Sequence, residues 1–113
     1  MDDFVIGLVG PCTSGKSALR DKLEAMGYTV RHIAQEHSYV KDMWQRLVDP
    51  DVLVFLDVSF QISHQRRPMN WTEVDYREQQ RRLAHARKHA DLYLQTDDMD
   101  EEGVLEAVLA NLP

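Results

Sequence analysis

Short apolar runs alternate along this chain with segments whose apolar residues recur at helical spacing. Four runs are typical of β-strands: residues 4–9, 28–33, 52–57 and 91–96. Helical spacing marks four of the segments between and after them: 18–26, 40–48, 72–89 and 100–112. Residues 59–67 are predicted to form a short helix or a loop. Because strands and helices alternate, the pattern predicts an α/β fold in three layers, in which a small, mostly parallel sheet of about four strands is flanked by helices.

The run at residues 52–57 is the most hydrophobic part of the chain. It shows no alternation of apolar and polar positions, which is typical of a strand buried on both faces in the middle of a parallel sheet. We expect the first strand, residues 4–9, to be central as well. With 113 residues, the chain is expected to form one domain, 1–113.

The segment after the first strand has the spacing G-x-x-x-x-G-K-S, which is that of a Walker A phosphate-binding loop, or P-loop. A strand before it and a helix after it supply the context that the motif needs. Glycines let backbone N–H groups turn towards an anion, and the helix N-terminus adds partial positive charge. The alternative is a glycine turn that binds nothing. The motif predicts these phosphate-binding residues: Gly10, Pro11, Cys12, Thr13, Ser14, Gly15, Lys16, Ser17 and Ala18.

Two side chains of the loop have predicted chemical roles. Lys16 should reach the β and γ phosphates of a nucleoside triphosphate, and Ser17 should place its hydroxyl on Mg²⁺. Pro11 has no N–H to donate, so the residues after it must form the cradle. The sequence therefore predicts that ATP, or another nucleoside triphosphate, binds together with Mg²⁺.

Cys12 is the single cysteine, which excludes an internal disulfide and fits a reducing cytosol. It is either a small residue at a variable loop position or a thiol made reactive by Lys16 and the helix N-terminus. No run has the length of a membrane helix, and the acidic start of the chain is unlike a signal peptide. We expect a soluble, cytoplasmic protein that does not bind a membrane.

Acidic residues outnumber basic ones, with 19 Asp and Glu against 13 Lys and Arg and a formal net charge of −6. This balance argues against a general nucleic-acid-binding surface. More than half of the basic residues lie between residues 66 and 88, whereas residues 91–106 carry acids and no base. Such a local basic segment suits a phosphorylated ligand, although a solvated helix face would have the same composition.

Polar residues follow the second strand, at the end of a parallel strand where ligands bind in open α/β sheets. Glu36 could position an acceptor hydroxyl or a Mg²⁺-bound water, and His37 could contact a substrate. Both could equally be ordinary loop or helix-start residues.

Asp57 closes the apolar run at residues 52–57. Several apolar residues followed by Asp also form the Walker B pattern, in which the carboxylate holds Mg²⁺ directly or through water. We predict Ser17 and Asp57 as metal ligands, with the alternative that Asp57 is simply the acidic end of a buried strand.

Arginines after the third strand are candidates to neutralise phosphate charge during transfer: Arg66, Arg67 and Arg81, with Arg77 and Arg82 beside the last. We predict catalytic roles for Lys16, Glu36 and the first three of these arginines. His85 and His89 are four residues apart on the same helix and could grip a metal, but the sequence shows no third ligand. Trp44 is expected in the core, with a dimer contact as the alternative.

The loop and its surroundings resemble the small P-loop kinases of the nucleoside monophosphate kinase, shikimate kinase and gluconate kinase type. Residues 52–59 followed by Arg66 and Arg67 look like their strand leading to an arginine-bearing lid, and residues 90–97 look like their final strand, near the nucleotide base. The resemblance implies a P-loop NTPase fold and transfer of the γ-phosphoryl of ATP to a small acceptor.

The interval 34–51 is shorter than the acceptor-binding region of those kinases, which also contains a further strand. Three readings therefore stay open: a small-molecule kinase, a non-kinase NTPase or regulatory nucleotide-binding module, and an interaction domain with a relic loop. The expected partners are a nucleotide, an unidentified small phosphate acceptor and, given the short chain, a second copy of the protein. Under the regulatory reading, Met43 and Trp44 would face a partner.

Overall fold

The computed structural model describes residues 4–66 and 70–112. Four strands are present: β1 Val5–Val9, β2 Thr29–His32, β3 Val52–Asp57 and β4 Leu92–Gln95. Five α-helices and one 3₁₀ turn accompany them: α1 Lys16–Ala25, the turn Gln35–His37, α2 Met43–Leu47, α3 Phe60–Arg66, α4 Glu73–His89 and α5 Glu101–Ala110. Among these described helices, none has the length and apolar character needed to cross a membrane.

The four strands form one sheet in the order β2-β1-β3-β4, and every pair is parallel. The predicted α/β class and four-stranded parallel sheet are therefore confirmed, with β1 and β3 in the two central positions. Ile6 of β1 is in register with Val30 on one side and Val52 on the other. Because the strands are parallel, their carboxyl ends meet at one edge, where β1 leads into the glycine-rich loop.

Helices cover both faces of the sheet and give the predicted three layers. Side chains of α1 and α5 pack on one face in a cluster of buried residues: Ile6, Leu8, Leu19, Leu23, Val30, Val54, Leu56, Val104 and Val108. The segments α2 and α4 supply the cluster on the opposite face: Val9, Ile33, Trp44, Leu53, Phe55, Leu83 and Ala86. Successive residues of β3 alternate between these two clusters, because side chains along a strand point to opposite faces.

Polar caps define the start of the two long C-terminal helices. Thr72 and Asp75 form a capping box at the start of α4, with the Asp75 amide donating to Thr72 Oγ1 at 3.2 Å. Asp100 caps α5 by accepting a bond from Gly103 N at 2.7 Å. These side chains satisfy amides that a helix leaves without an acceptor, and so fix where each helix begins.

The segment between β2 and β3 contains a shorter helix than the apolar spacing predicts, because residues before Met43 form turns. Trp44 is buried in the core, and its indole N–H donates to His85 Nδ1 at 3.1 Å. Trp44 is therefore not exposed on the surface of the described chain, which weighs against one expectation of the regulatory reading. Met43 is only partly buried and packs against the same core cluster.

Candidate functional site

Two adjoining clefts lie at the carboxyl edge of the sheet and share the glycine-rich loop. The first, of about 500 Å³, is here called the Lys16 cleft and is lined by Cys12, Thr13, Ser14, Gly15, Lys16, Ser17, Ala18, His32, Glu36 and Arg66. The second, of about 400 Å³, is here called the Met99 cleft and is lined by Thr13, Ser14, Gly15, Ala18, Leu19, Arg66, Thr96, Met99, Asp100, Glu101 and Val104. Most of the predicted phosphate-binding residues thus line one of the two clefts or both.

Some residues of the loop have backbone conformations that L-amino acids rarely adopt. Gly15 has φ +98° and Thr13 has φ +69°, a left-handed conformation that costs free energy for a β-branched residue. Gly10 is required for space as well, because an added Cβ would lie 2.1 Å from the carbonyl oxygen of Leu56. The helix α1 begins at Lys16, so its first-turn amides lack intrahelical acceptors. Two amides of the loop already have protein acceptors, since Cys12 N donates to Gln79 Oε1 and Ser14 N to the Pro11 carbonyl, so the amides that remain for a ligand are those at the start of α1.

Lys16 is buried, and its ammonium group has three protein partners. It donates to Glu36 Oε2 at 2.7 Å, to the Pro11 carbonyl at 3.2 Å and, at closer range, to the Gly10 carbonyl. The side chains of Lys16 and Glu36 are each only 5% exposed. Burying a charge is costly unless it is paired, so this ion pair is what makes the burial of both groups possible. The structure therefore brings together two residues that the sequence places 20 positions apart.

Hydrogen bonds from Gln35 hold the segment that carries Glu36. The Gln35 amide nitrogen donates to Val40 O at 2.8 Å and to Arg82 O at 3.3 Å, and its oxygen accepts from Trp44 N at 2.9 Å. Gln35 is fully buried, so these bonds replace the water that its amide would otherwise contact. They tie the 3₁₀ turn to α4 and give Glu36 a fixed position beside the loop.

Cys12 is in contact with both α4 and His37. Its amide donates to Gln79 Oε1 at 2.9 Å, and the Gln79 amide nitrogen donates to its sulfur at 3.1 Å. His37 Nε2 lies 3.9 Å from the sulfur and 4.0 Å from Glu36 Oε2. Sequence reasoning missed Gln79, which is buried within a helix face expected to be apolar; a polar residue on the buried side of a helix is the signal that could have identified it.

The structure separates the predicted arginines. Arg66 lines both clefts, and its guanidinium donates to the Thr13 carbonyl at 2.6 Å. Arg67 lies outside the described residues. Arg81 lines neither cleft, and its exposed guanidinium pairs with Glu78 at 2.7 Å on the surface of α4. Of the predicted arginines that the structure describes, only Arg66 therefore lines a cleft, and Arg82 instead donates to the Glu36 carbonyl at 3.4 Å.

Asp57 lies on the α4 side of the sheet and lines neither cleft. Its Oδ1 accepts from Val58 N and from Gln80 Nε2, both at 2.9 Å. Its Oδ2 accepts from the Tyr93 hydroxyl and lies 3.6 Å from an Arg87 nitrogen. Of the predicted metal ligands, Ser17 therefore lines the Lys16 cleft and Asp57 lines neither cleft, and both oxygens of Asp57 already accept hydrogen bonds.

The hydrogen-bond network around Asp57 includes Tyr93, whose pKa is raised. Desolvation, followed by its hydrogen bond to Asp57, raises the pKa of Tyr93 to about 12. Its ring stacks on Phe55 with centroids 5.5 Å apart, and the Arg87 guanidinium lies 4.9 Å from the Tyr93 centroid. Asp57 is thus held in a polar network with Tyr93, Gln80 and Arg87.

His85 and His89 have stacked rings with centroids 4.3 Å apart, but hydrogen bonds occupy one nitrogen of each. His85 Nδ1 accepts from Trp44, and His89 Nδ1 bonds to the His85 carbonyl at 2.9 Å. Across residues 4–66 and 70–112, the groups of three or more potential metal ligands do not include this pair. The described residues therefore provide no third ligand for a metal ion at His85 and His89.

His32 is a further residue of the Lys16 cleft that sequence reasoning missed. It is the last residue of β2, so its position at the carboxyl end of a parallel strand is the signal that could have identified it. Desolvation, followed by the nearby ammonium of Lys16, lowers the pKa of His32. The neutral imidazole is therefore favoured beside the loop, and it can accept or donate a hydrogen bond there.

The glycine-rich loop, the buried Lys16 ammonium and the Arg66 side chain line the Lys16 cleft together with Glu36, and Asp100 and Glu101 line the Met99 cleft. This arrangement can bind an anion at the loop. Sequence comparison finds no match among protein-family models or among curated proteins.

Proposed function

We propose that this chain binds a nucleoside triphosphate with Mg²⁺ across the two clefts and transfers the γ-phosphoryl group to a small hydroxylated acceptor. The observation that carries the proposal is the meeting of the two clefts at the glycine-rich loop, with the Lys16 ammonium on one side and Arg66 at the junction. A triphosphate needs such convergent donors, whereas a turn that binds nothing does not.

The phosphate end of the ligand would occupy the Lys16 cleft. First-turn amides of α1 would donate to the phosphate oxygens, and Lys16 would exchange its bonds to the Gly10 and Pro11 carbonyls for bonds to the ligand. Arg66 would move from the Thr13 carbonyl to the charge that develops during transfer. Lys16 and Arg66 thus each have a backbone acceptor that a phosphate oxygen can replace.

The nucleoside would extend into the Met99 cleft. Apolar side chains of Leu19, Met99 and Val104 offer a surface on which a planar base can pack. Asp100 and Glu101 lie at the same cleft and can accept bonds from ribose hydroxyls or from amino groups of the base. Their negative charge disfavours a second phosphate group at this end, which fixes the direction of the proposed ligand.

The metal and the acceptor would lie between Ser17 and Glu36. Ser17 is exposed in the Lys16 cleft, and a hydroxyl at this position of the motif suits Mg²⁺, which would shield phosphate charge. Glu36 is 4% exposed, and its Oε1 has no hydrogen-bond partner among the described residues. That oxygen can accept the proton of an acceptor hydroxyl, so we assign Glu36 as the general base.

A second candidate function is a slow NTPase or a regulatory nucleotide-binding module. The position of Asp57 favours it, because that carboxylate is bound by Tyr93 and Gln80 away from the loop. The short segment between β2 and β3 also leaves little chain to enclose an acceptor. Under this alternative Glu36 would orient a water molecule instead of an acceptor hydroxyl.

Phosphorus NMR distinguishes the two candidates. The full chain is incubated with Mg²⁺ and ATP, first in water and then with nucleoside monophosphates and small hydroxylated metabolites. We expect a new phosphorylated product that depends on the acceptor pool. Formation of ADP and phosphate alone would support the NTPase, and binding without turnover would support the regulatory module.

A matched pair of arginine variants tests the site assignment. We expect Arg66→Ala to lower turnover by roughly 10² to 10³, because one charged donor at a developing charge contributes this much. Arg77→Ala is the control, since Arg77 is exposed and pairs with Glu73 at 2.5 Å outside both clefts. Equal turnover of the two variants would contradict the role of Arg66, and no ATP binding by the wild type would contradict the proposal as a whole.

A further inference from the structure

We infer that Cys12, Glu36 and His37 form a binding site for a divalent transition metal of the Zn²⁺ class at the rim of the Lys16 cleft. One ligand atom from each residue lies within 4.8 Å of the other two. The site is defined by protein atoms alone and does not depend on nucleotide binding.

The distances are close to those that a tetrahedral metal requires. Zinc bonds of about 2.3 Å to sulfur and about 2.0 to 2.1 Å to nitrogen or oxygen place a sulfur and a nitrogen ligand about 3.6 Å apart. Cys12 Sγ and His37 Nε2 are 3.9 Å apart, and His37 Nε2 and Glu36 Oε2 are 4.0 Å apart. Rotation of the exposed His37 ring can shorten the two distances that involve its Nε2, and the third separation, between the ligand atoms of Cys12 and Glu36, is within 4.8 Å and would shorten through movement of these two side chains.

The donor set also selects the kind of metal. A thiolate, an imidazole and a carboxylate together suit zinc and its neighbours, whereas Mg²⁺ and Ca²⁺ prefer oxygen ligands only. Three protein ligands leave a fourth position for water or a ligand in the cleft, as in zinc sites that stay open. Among the described residues, this is the group in which three such side chains converge.

Glu36 provides a second, independent observation. Lys16 binds Oε2 at 2.7 Å, but Oε1 is buried and has no hydrogen-bond partner among the residues that the structure describes. A buried carboxylate oxygen without a partner is costly, and a metal ion is a group that removes this cost. The 4.0 Å distance to His37 Nε2 is that of Oε2, which Lys16 binds, so the metal would be held through Oε1 of the same carboxylate or by both of its oxygens. The Lys16 ammonium opposes a second cation nearby, so we expect weaker binding than at a structural zinc site.

Hydrogen bonds from α4 hold Cys12 in place at the rim of the cleft. The Gln79 amide nitrogen donates to its sulfur at 3.1 Å, and the Cys12 amide donates to Gln79 Oε1 at 2.9 Å, so the position of the sulfur beside His37 is fixed from both ends of one side chain. On binding, the S–H bond is replaced by a sulfur–metal bond and the proton passes to solvent. The second ring nitrogen of His37 stays in solvent, where water can hold the required tautomer.

A Co²⁺ titration of the full chain tests the inference, because Co²⁺ reports its own ligands by absorption. We expect a thiolate-to-Co²⁺ charge-transfer band in the near ultraviolet that saturates at one metal per chain. Zn²⁺ should abolish the band by displacement, and a large excess of Mg²⁺ should not. Absence of the band under reducing conditions would overturn the inference.

Ligand variants locate the metal. Cys12→Ser should remove the charge-transfer band, and His37→Asn, at an exposed position that the fold does not need, should weaken Co²⁺ binding at least about tenfold. His89→Asn is the matched control and should bind like the wild type. If His89→Asn weakened binding while Cys12→Ser and His37→Asn did not, the metal would lie at the α4 histidines and the assignment would be wrong.

Discussion

The two buried carboxylates at the carboxyl edge of the sheet, Glu36 and Asp57, are both paired with a cation but differ in how completely they are satisfied. Asp57 accepts bonds from a backbone amide, an amide side chain and a phenol, and lies near Arg87. Glu36 is bound by Lys16 through one oxygen, and its other oxygen has no partner among the described residues.

This difference teaches which of the two is available for chemistry. A carboxylate whose oxygens already accept several bonds would have to lose them before it could hold a metal or a proton. Glu36 faces the Lys16 cleft and keeps one oxygen free for such a step. We therefore expect Asp57 to contribute mainly to the stability of the fold and Glu36 to the chemistry of the cleft. The experiments below test this difference.

The largest effect is expected on breaking the Lys16–Glu36 pair. Lys16→Met leaves Glu36 as an uncompensated buried charge, and such a loss costs about 3 to 5 kcal/mol. The double variant Lys16→Met/Glu36→Gln removes both charges and should regain most of that free energy of unfolding. Urea denaturation of the wild type, both single variants and the double variant measures the coupling energy.

Activity provides the second half of this test. The double variant should be folded, as judged by circular dichroism, and yet show no ATP turnover, because both proposed catalytic groups are gone. Additive losses of stability in the two single variants would show that the pair is not coupled. Turnover by the folded double variant would contradict the role of the loop as the phosphate site.

An intermediate effect is expected from Asp57→Asn. An amide accepts fewer bonds than a carboxylate, so the free energy of unfolding should fall by about 1 to 3 kcal/mol. Turnover at a temperature where the variant is folded should stay near that of the wild type. Asp98→Asn, at an exposed position, is the control for both measurements. Loss of turnover with unchanged stability would instead favour the metal-ligand role that the sequence predicts for Asp57.

The smallest effect is expected on the free energy of unfolding at alkaline pH. The ordinary pKa of tyrosine, 10.0, is raised to about 12 for Tyr93 in the fold, so the neutral phenol is favoured there. Its stabilising contribution is complete below pH 10 and is lost as the pH rises from 10 to about 12. Tyr93→Phe should be less stable at neutral pH but should lose less stability across that interval. Parallel curves for the two proteins from urea unfolding would contradict the expected linkage.

Most of the fold could be predicted from the sequence because its signals are local and repeated. Apolar runs alternate with helical spacing, and the Thr72–Asp75 cap marks the start of α4. The bounds were less accurate where tertiary contacts decide them, as between β2 and β3. There, the buried Gln35 side chain bonds to Val40, Trp44 and Arg82. Nothing in the local pattern of residues 40–48 indicates those distant partners.

The site was only partly predictable, for a reason that β3 illustrates. Leu53 and Phe55 pack on one side and Val54 and Leu56 on the other, so both faces are apolar. Such a strand gives no signal for which way its final residue points, and Asp57 faces α4 instead of the loop. The place of Glu36 at the carboxyl edge was predictable, because it lies in the turn that follows β2.

The rotation of α4 about its own axis could not be predicted from the sequence either. The face of α4 that packs on the sheet includes Gln79, Leu83 and Ala86, so the apolar stripe is too thin to orient the helix from sequence. Arg81 consequently lies on the solvent side, where it pairs with Glu78. Arg66 could be placed near the loop because it follows β3 closely at the carboxyl edge.

The two loop glycines differ in the sequence variation that they permit. At Gly15 there is open space and only a positive φ, so asparagine, which tolerates that conformation, is an acceptable replacement. At Gly10 any side chain meets the backbone of β3 at Leu56, which cannot rotate aside. Among related sequences, invariance at Gly10 would therefore report that β1 and β3 are neighbours, whereas the identity of residue 15 would report on the conformation of the loop.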